Sequence, residues 1–240
     1  MSDAVRDLCA RIATANHILA GEGVVDAFGH ISARHPEDPG RFLLSRSLSP
    51  AQVTPSDIMT FDAEGRVVGE DDRTPYLERF IHAAIYAARA DVNAVVHNHA
   101  HDLIPFGVTG TPIRPLIHLA GAIGGVVPIW DIADRFGDTN LLVSDMAQAR
   151  DLAEALGGNV AALMRGHGAV VTGGSVRNAT LLSIYLQVNA RLDLASRQLG
   201  EVRYLSDGEI QRAPEVLLIG PPAHRAWDYF AARWRSGPAD

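Results

Sequence analysis

The chain has 240 residues, of which 47% are hydrophobic, and a formal net charge of −7. These values predict a single domain over residues 1–240 with one sizeable core. The acidic balance and the lack of a long basic stripe argue against a nucleic-acid partner, and no apolar run is long enough to cross a membrane. The single cysteine excludes an internal disulfide and a cysteine-based zinc site, so we expect a cytoplasmic protein.

The basic residues restrict the chemistry further. All 21 of them are arginine, because the sequence contains no lysine. Lysine aldolases and pyridoxal enzymes form a Schiff base with a lysine, so both classes are excluded. A carbanion-like intermediate in this protein therefore needs another electron sink, and a metal ion is the obvious one.

The first part of the chain predicts one helix followed by short strands. Apolar residues at helical spacing indicate a helix over residues 4–20, which Gly21 can end. His30, Ser32 and Arg34 then alternate with apolar residues, as in a strand with one polar face. That face fits either an anionic ligand or the exposed side of an edge strand. The following segments are predicted as strands at 42–45 and 59–62, a polar turn at 46–50 and a hairpin turn at 63–65.

A predicted helix leads directly into the most informative motif. Thr74 and Pro75 are favoured residues for the N-cap and first turn of a helix, and an apolar stripe continues to Ala88. Glu78 and His82 lie one turn apart beside that stripe. Such a pair is commonly a surface contact, but here the helix precedes a histidine-rich strand end, so we expect Glu78 near that site.

His97 and His99 end a short apolar run, 92–96, that is typical of a buried strand. Residues two apart on a strand face the same way, so both imidazoles can approach one divalent metal ion. His167 lies between two glycines at a break between two further apolar β-runs. Together with Glu78, these three histidines predict an open metal site, for which zinc, manganese, cobalt and iron(II) are all suitable. The alternative is that these histidines are incidental polar residues in turns.

The remainder of the chain continues the alternation of helices and strands. Ser175 is predicted to cap a long helix that ends near Leu199, and Gly200 follows it. The other predicted elements are a strand at 112–118, a helix at 148–156, strands at 160–164 and 169–172, and a final amphipathic helix containing Trp227, Phe230 and Trp234.

These residues together resemble the class II aldolase/adducin family, which includes L-fuculose-phosphate aldolase and L-ribulose-phosphate 4-epimerase. The resemblance covers about residues 4–200. The matching motifs are Gly29-x-Ile-Ser-x-Arg34, Glu78-x-x-x-His82, Ala94-Val-Val-His-x-His99, His118 and His167-Gly-x-x-x-x-Gly173.

The resemblance implies a role for four residues and an architecture for the chain. His97, His99 and His167 correspond to the family's metal ligands, and Glu78 corresponds to its acid/base carboxylate. The implied fold is a three-layer α/β/α domain with a largely antiparallel central sheet. The implied assembly is a homotetramer with its sites at subunit contacts.

Three departures from the sugar-phosphate members indicate a different substrate. His30 replaces an asparagine, Tyr76-Leu77 replaces Ser-Ser, and the segment Ser45–Pro50 replaces a phosphate-binding loop. The region around Glu78 is similar to the branch that decarboxylates hydroxylated aromatic or pyridine carboxylates. Arginine binds carboxylates in a two-pronged fashion, so we expect a carboxylate-rich planar substrate. The candidate substrate-binding residues are His30, Ser45, Arg46, Ser47, Arg73 and Tyr76.

Three functions remain open on the sequence alone. The first is a metal-dependent decarboxylase of a hydroxylated aromatic or pyridine (di)carboxylate. The second is a retro-aldol lyase for an unphosphorylated hydroxy-keto acid or sugar-derived substrate, which would use the same ion. The third is an adducin-like interaction module without chemistry, and the intact ligand set with Glu78 argues against it.

Overall fold

The computed structural model describes residues 1–234, which form one seven-stranded sheet with helices on both faces. The strands are β1 His30–Arg34, β2 Arg41–Ser45, β3 Ile58–Asp62, β4 Ala94–Asn98, β5 Ile129–Trp130, β6 Ala161–Met164 and β7 Gly168–Gly173. The helices are α1 Asp3–Gly21, α2 Arg79–Ala88, α3 Ile104–Thr109, α4 Ala133–Phe136, α5 Met146–Leu156, α6 Val176–Leu199, α7 Asp207–Arg212, α8 Pro214–Leu217 and α9 Pro221–Arg233.

The sheet is antiparallel except at one edge. Its strand order is β3-β2-β1-β4-β7-β6-β5, and only β5 and β6 pair in parallel. Successive strand residues alternate between two buried cores: Val96 packs into the core on the α1 and α6 side, and Val95 into the core that contains α2 and α5. This arrangement confirms the three-layer α/β/α architecture with a largely antiparallel sheet. No helix within residues 1–234 has the length and apolar character needed to cross a lipid bilayer.

The structure confirms several predicted elements and the residues at which they end. The first helix runs from Asp3 to Gly21, and the Ser175 hydroxyl caps α6 by accepting a hydrogen bond from the Asn178 amide at 3.2 Å. Gly200 follows α6 directly, as the pattern predicts. The final helix contains Trp227 and Phe230, and its C-cap is Trp234. Residues 235–240 of the predicted domain lie outside the described part of the chain.

The predicted start of α2 is wrong by one turn. The helix begins at Arg79 rather than at Pro75, although the local sequence favours the earlier start. Pro75 instead forms a β-bridge with Arg46, and the Ser47 amide donates a hydrogen bond to the Thr74 carbonyl at 2.7 Å. A pairing with a distant segment therefore overrides the local capping signal.

The predicted strand at 112–118 is also wrong. Its backbone is held by one side chain of α6: the Leu116 amide donates to Asn189 Oδ1, and Asn189 Nδ2 donates to the Arg114 carbonyl, both at 2.9 Å. A short 3₁₀ helix, His118–Ile123, follows. The Asn189 amide thus satisfies two main-chain groups of this segment, and the Pro115 carbonyl accepts from the Leu205 amide, so these groups need no neighbouring strand.

Candidate metal centre

The predicted histidine cluster forms where two neighbouring central strands meet. Strands β4 and β7 are antiparallel and pair Asn98 with Ala169, so the end of β4 lies beside the start of β7. His97 is in β4, His99 follows its last residue, and His167 immediately precedes β7. Residues 68 positions apart in the sequence are thereby brought into contact.

The glycines beside His167 make this close approach possible. A Cβ atom on Gly168 would lie 2.0 Å from the Asn98 carbonyl oxygen, so only glycine fits at that position. Gly166 has a φ of +67°, a left-handed conformation that glycine adopts at little cost. The two glycines are therefore required by the geometry of the main chain, which explains why His167 stands in a Gly-His-Gly sequence.

Four donor atoms converge in this cluster. The Nε2 atom of His99 lies 3.1 Å from Nε2 of His97 and 3.1 Å from Nε2 of His167. Glu78 Oε2 lies 3.3 Å from His97 Nε2 and 3.5 Å from His167 Nε2. One ligand atom from each of the four residues lies within 4.8 Å of the others. We refer to Glu78, His97, His99 and His167 as the donor cluster.

The outer nitrogens of two imidazoles are held by main-chain carbonyls. His97 Nδ1 lies 3.2 Å from the Ala169 carbonyl oxygen, and His167 Nδ1 lies 2.8 Å from that of Leu141. A carbonyl only accepts, so these Nδ1 atoms carry the hydrogen and leave lone pairs on Nε2. Such backbone contacts are typical of metal-binding histidines.

The donor cluster fits a divalent cation. Lone pairs and a carboxylate that face one another repel unless a positive charge lies between them. In a tetrahedral site with metal–nitrogen bonds of 2.0–2.1 Å, neighbouring ligand nitrogens are about 3.3 Å apart. The observed separations of 3.1 Å are close to that value. The three histidines and Glu78 could therefore hold one ion.

Glu78 is the N-cap residue of α2 and is buried. Its Oε1 atom accepts a hydrogen bond from the Val143 amide at 3.0 Å, which leaves Oε2 directed at the histidines. Burial disfavours the charged carboxylate, but His97 and His167 more than offset this effect. The pKa of Glu78 therefore lies well below its usual range, and the residue is ionised.

The same surroundings shift the pKa values of His99 and His167. Burial, together with His97 and His167, lowers the pKa of His99 to about 4, so its imidazole is neutral and able to bind a metal. Burial also acts to lower the pKa of His167, but the hydrogen bond and charge of Glu78 outweigh it and the net shift is upward. The cluster thus attracts a positive charge, either a proton or a metal ion.

One of the six predicted substrate residues, His30, lies directly against this cluster, and Tyr76 packs on His30. The ring of His30 packs 5.3 Å from the ring of His97, and the ring of Tyr76 packs 4.4 Å from that of His30. The Tyr76 hydroxyl donates a hydrogen bond to the Leu48 carbonyl, and burial raises the pKa of Tyr76. Ser45 is fully buried at the end of β2.

Both predicted arginines are engaged within the chain. Arg46 Nε binds Asp57 Oδ1 at 2.7 Å, and its side chain remains 37% exposed. Arg73 binds both carboxylate oxygens of Asp71 and also donates to the Ser56 carbonyl at 2.6 Å. Arg73 therefore connects two loops, which argues against its predicted role as a substrate ligand. The terminal nitrogens of Arg46 make no hydrogen bond within residues 1–234.

The polar face of β1 is not the exposed side of an edge strand, and Ser32 and Arg34 on it do not form an anion site. Strand β1 lies between β2 and β4, so it is not an exposed edge strand. Arg34 does not face an anion, because its guanidinium donates to four main-chain carbonyls. Ser32 is fully buried and contacts His82 and Tyr86. The face thus belongs to an internal hydrogen-bond network.

Sequence reasoning assigned no role to several residues around the site, although the motif Glu78-x-x-x-His82 contains one of them. His82 is fully buried, not part of a surface pair with Glu78, and Tyr86 lies one further turn along α2. The spacing of Glu78, His82 and Tyr86 by four residues on one helix face was the signal that could have revealed them. No sequence signal indicates Leu141 and Val143. Leu141 has a φ of +67°, rare for a residue with a side chain.

Comparison with known proteins identifies the family. Residues 10–194 match the family model described as Class II Aldolase and Adducin N-terminal domain. The chain belongs to this family. This match confirms the resemblance inferred from the histidine, glutamate and glycine motifs.

Similar proteins of the family cleave carbon–carbon bonds in two ways. The chain is 34% identical over 205 residues to the decarboxylase tropJ of Talaromyces stipitatus, covering 80% of this chain and 77% of that protein. It is 30% identical over 239 residues to a 3,4-dihydroxyphthalate decarboxylase of a Terrabacter species, with coverages of 92% and 95%. It is also 31% identical over 185 residues to an L-fuculose phosphate aldolase of Escherichia coli, with coverages of 76% and 80%. The class II aldolase/adducin protein described here is therefore an enzyme of the lyase class.

The fold is shared with solved structures of the family. An aldolase II superfamily protein from Pseudomonas syringae superimposes with a TM-score of 0.82 at 24% identity, covering 99% of this chain and 96% of that chain. At that identity the likeness concerns the fold alone. It agrees with the three-layer architecture described above.

Proposed function

We propose that this protein is a metal-dependent lyase that decarboxylates a hydroxylated aromatic or pyridine (di)carboxylate, such as a dihydroxyphthalate-type acid. The main support is the donor cluster, in which three imidazole nitrogens and one carboxylate face a common centre. The similarity to two decarboxylases supports the reaction type. No phosphate-binding loop or lysine is available for a sugar phosphate, which supports the substrate class.

His97, His99 and His167 would hold one divalent ion. Three protein ligands leave coordination positions open for a substrate, as catalytic sites require. When bound, the ion would polarise the substrate's carboxylate and neighbouring hydroxyl and stabilise the negative charge that develops as the carbon–carbon bond breaks. The carbonyls of Leu141 and Ala169 keep the His167 and His97 rings in the orientation that this role needs.

Glu78 would move the proton. Oε2 is ionised, and a substrate hydroxyl polarised by the ion would be acidic enough to pass its proton to this atom. Glu78 would then return the proton to the ring carbon that loses carbon dioxide, and one proton from solvent would restore the product hydroxyl. The overall reaction exchanges one carboxylate for one hydrogen on the ring and needs no oxidant. The Val143 amide fixes the other carboxylate oxygen and so directs Oε2 at the substrate.

His30, Ser45, Arg46, Ser47 and Tyr76 would form the side of the site that binds the rest of the substrate. His30 offers a flat ring beside His97, and Tyr76 offers one beside His30, which suits a planar substrate. Arg46 keeps part of its guanidinium available for a second carboxylate. Arg73 is left out of this role because its nitrogens already bind Asp71 and main-chain carbonyls.

A second candidate is a retro-aldol lyase acting on an unphosphorylated hydroxy-keto acid or sugar-derived substrate. The similarity to L-fuculose phosphate aldolase favours it, and the same donor cluster would serve it. The two functions differ in their products, because decarboxylation releases carbon dioxide and aldol cleavage releases two carbonyl compounds.

We also propose that the protein is a homotetramer whose sites lie at subunit contacts. Phe28 is 66% exposed, and its ring lies 6.3 Å from that of the donor-cluster residue His99. An exposed aromatic side chain beside a catalytic site is suited to contact a second subunit. Light scattering at micromolar concentration tests the assembly, and a monomer would refute it.

The function is tested by metal analysis combined with a substrate screen. The purified protein is analysed for bound zinc, manganese, cobalt and iron and then supplied with hydroxybenzoates, phthalates and pyridine carboxylates. We expect about one divalent ion per chain and carbon dioxide release from a hydroxylated member of the set. Hydroxy-keto acids are screened in parallel for carbonyl products.

The outcomes separate the candidates. Carbonyl products without carbon dioxide would replace the decarboxylase with the retro-aldol lyase. Protein that binds none of the four metals and turns over no substrate would contradict both functions. The variant His99→Ala serves as the matched negative control, because it removes one donor from the same preparation.

A further inference from the structure

A chain of hydrogen-bonded side chains connects His30 to the interior of the protein. His30 Nδ1 lies 2.7 Å from His82 Nε2, and His82 Nδ1 lies 2.6 Å from Ser32 Oγ. Ser32 Oγ lies 2.8 Å from the Tyr86 hydroxyl. All four residues are buried, so water does not compete for these contacts. We refer to His30, His82, Ser32 and Tyr86 as the relay.

The position of Tyr86 fixes the direction of the hydrogen bonds. Ser32 is the side-chain partner of the Tyr86 hydroxyl among residues 1–234. If Ser32 donated to Tyr86, the phenolic hydrogen would be buried without an acceptor, which is costly. Tyr86 therefore donates to Ser32, and the Ser32 hydroxyl donates to His82 Nδ1. His82 then carries its hydrogen on Nε2 and donates to His30 Nδ1.

This direction determines which nitrogen of His30 carries the hydrogen. Since Nδ1 of the neutral ring accepts from His82, the hydrogen of His30 is on Nε2. That Nε2 atom has no hydrogen-bond partner among the described residues. The ring packs between Tyr76 and His97, so Nε2 is the polar atom that it offers to a molecule bound beside the donor cluster.

We propose that His82, Ser32 and Tyr86 are positioning residues that hold His30 as a hydrogen-bond donor toward the substrate, and that His30 thereby selects a dicarboxylate. This inference rests on the proposed function for the identity of the substrate. A donor at Nε2 needs an acceptor on the bound molecule. A second carboxylate provides a charged acceptor, whereas a substrate with a single carboxylate at the donor cluster offers only hydroxyl oxygens, which make weaker hydrogen bonds. His30 is in this way a specificity residue. The relay excludes the other neutral tautomer of His30, in which Nε2 would accept a hydrogen bond.

The tautomer can be measured without any substrate. Full-length protein labelled with ¹⁵N-histidine and loaded with zinc is examined by long-range ¹H–¹⁵N correlation NMR, which distinguishes protonated from bare ring nitrogens. The variant His30→Gln identifies the His30 signals by their loss. We expect a hydrogen on Nε2 and a bare Nδ1. A hydrogen on Nδ1 of His30 in the zinc-loaded wild-type protein would overturn the proposal, whatever the substrate proves to be.

Two substitutions at His82 test the relay itself. His82→Gln keeps an N–H near the position of Nε2 and so retains a donor for His30. His82→Leu has a similar volume but no donor. We expect His30 to keep its hydrogen on Nε2 in the glutamine variant and to divide between the two tautomers in the leucine variant. Identical His30 spectra in both variants would show that His82 does not set the tautomer.

The specificity of His30 is tested with two ligands. One is 3,4-dihydroxyphthalate, and the other is 2,3-dihydroxybenzoate, which lacks the second carboxylate. We expect His82→Leu to raise the KM for the dicarboxylate about tenfold and to leave the affinity for the monocarboxylate unchanged. For His82→Gln we expect both values to stay close to those of the wild-type protein. Equal weakening of both ligands would reveal general loosening of the site and would contradict the specificity role. If neither ligand is bound by wild-type protein, the proposed substrate fails while the NMR result still decides the tautomer.

Discussion

The donor cluster and the predicted anion-binding side of the site are built in different ways. The donor cluster comes from the ends of two paired strands and the N-cap of one helix, and main-chain groups hold its side chains. The arginines predicted for the anion side come from loops. There Arg46 contacts Asp57 and Arg73 contacts Asp71, each in a segment close to it in space.

This difference shows which parts of a site can be predicted dependably from the sequence. On a strand, alternation fixes the direction of His97 and His99, and antiparallel pairing brings His167 to them. On a loop, an arginine binds whichever carboxylate the folded chain brings near. The composition of a loop therefore indicates an available charge but not its partner, and Arg73 is an example.

The largest expected effect is loss of a donor histidine. His97→Ala, His99→Ala and His167→Ala should each lose bound metal and nearly all activity while remaining folded, because two remaining imidazoles hold a divalent ion poorly. Elemental analysis, circular dichroism and carbon dioxide release measure these properties. The matched control is His101→Ala, an exposed histidine two residues beyond His99. Full metal occupancy in His167→Ala would remove that residue from the site.

Glu78→Gln should separate the carboxylate's role from that of the histidines. We expect activity to fall by about 10²–10⁴-fold while the metal stays bound, because the amide cannot accept and return a proton. The exposed Glu64→Gln serves as the control. If metal is lost together with activity, Glu78 is a ligand of the ion and the proton is moved by another group.

Gly168→Ala should disturb the strand contact on which the donor cluster depends. The new Cβ would meet the Asn98 carbonyl, so the two strands must separate, at a cost of about 1–3 kcal/mol in the free energy of unfolding. Metal affinity should fall together with the stability of the protein. Gly174→Ala is the matched control, because its Cβ has nothing within 4 Å. Equal unfolding temperatures for both variants would argue against the close approach.

The smallest effects are expected on the anion side, where two arginines can be compared. Arg46→Ala should raise the KM for a dicarboxylate about tenfold to a hundredfold and leave metal content unchanged. Arg73→Ala should leave KM unchanged and lower the unfolding temperature, since Arg73 joins two loops. Steady-state kinetics and thermal unfolding of both variants provide the test. An unchanged kcat/KM in Arg46→Ala would refute its assignment.

The sequence alone determined the family, the layered fold and the four members of the donor cluster. The donor cluster depends on local regularity, namely the two-residue period of β4, the apolar stripe of α2 and the glycines around His167. The layered fold was implied by the resemblance of these motifs to the family. Such patterns act between neighbouring residues, so they can be read without coordinates. The same reasoning located the caps of α6, because capping is a contact within a few residues.

The tertiary structure alone decided which polar groups are already engaged. The bridge between Arg46 and Pro75 delays the start of α2, and Asn189 holds the segment predicted as a strand. Likewise, His30 and His82 meet across 52 positions of sequence. A buried polar group is stable only when it finds a partner, and that partner can come from any part of the chain that packs beside it. Local patterns carry no information about such pairings, so the hydrogen-bond relay behind His30 became visible only in the folded molecule.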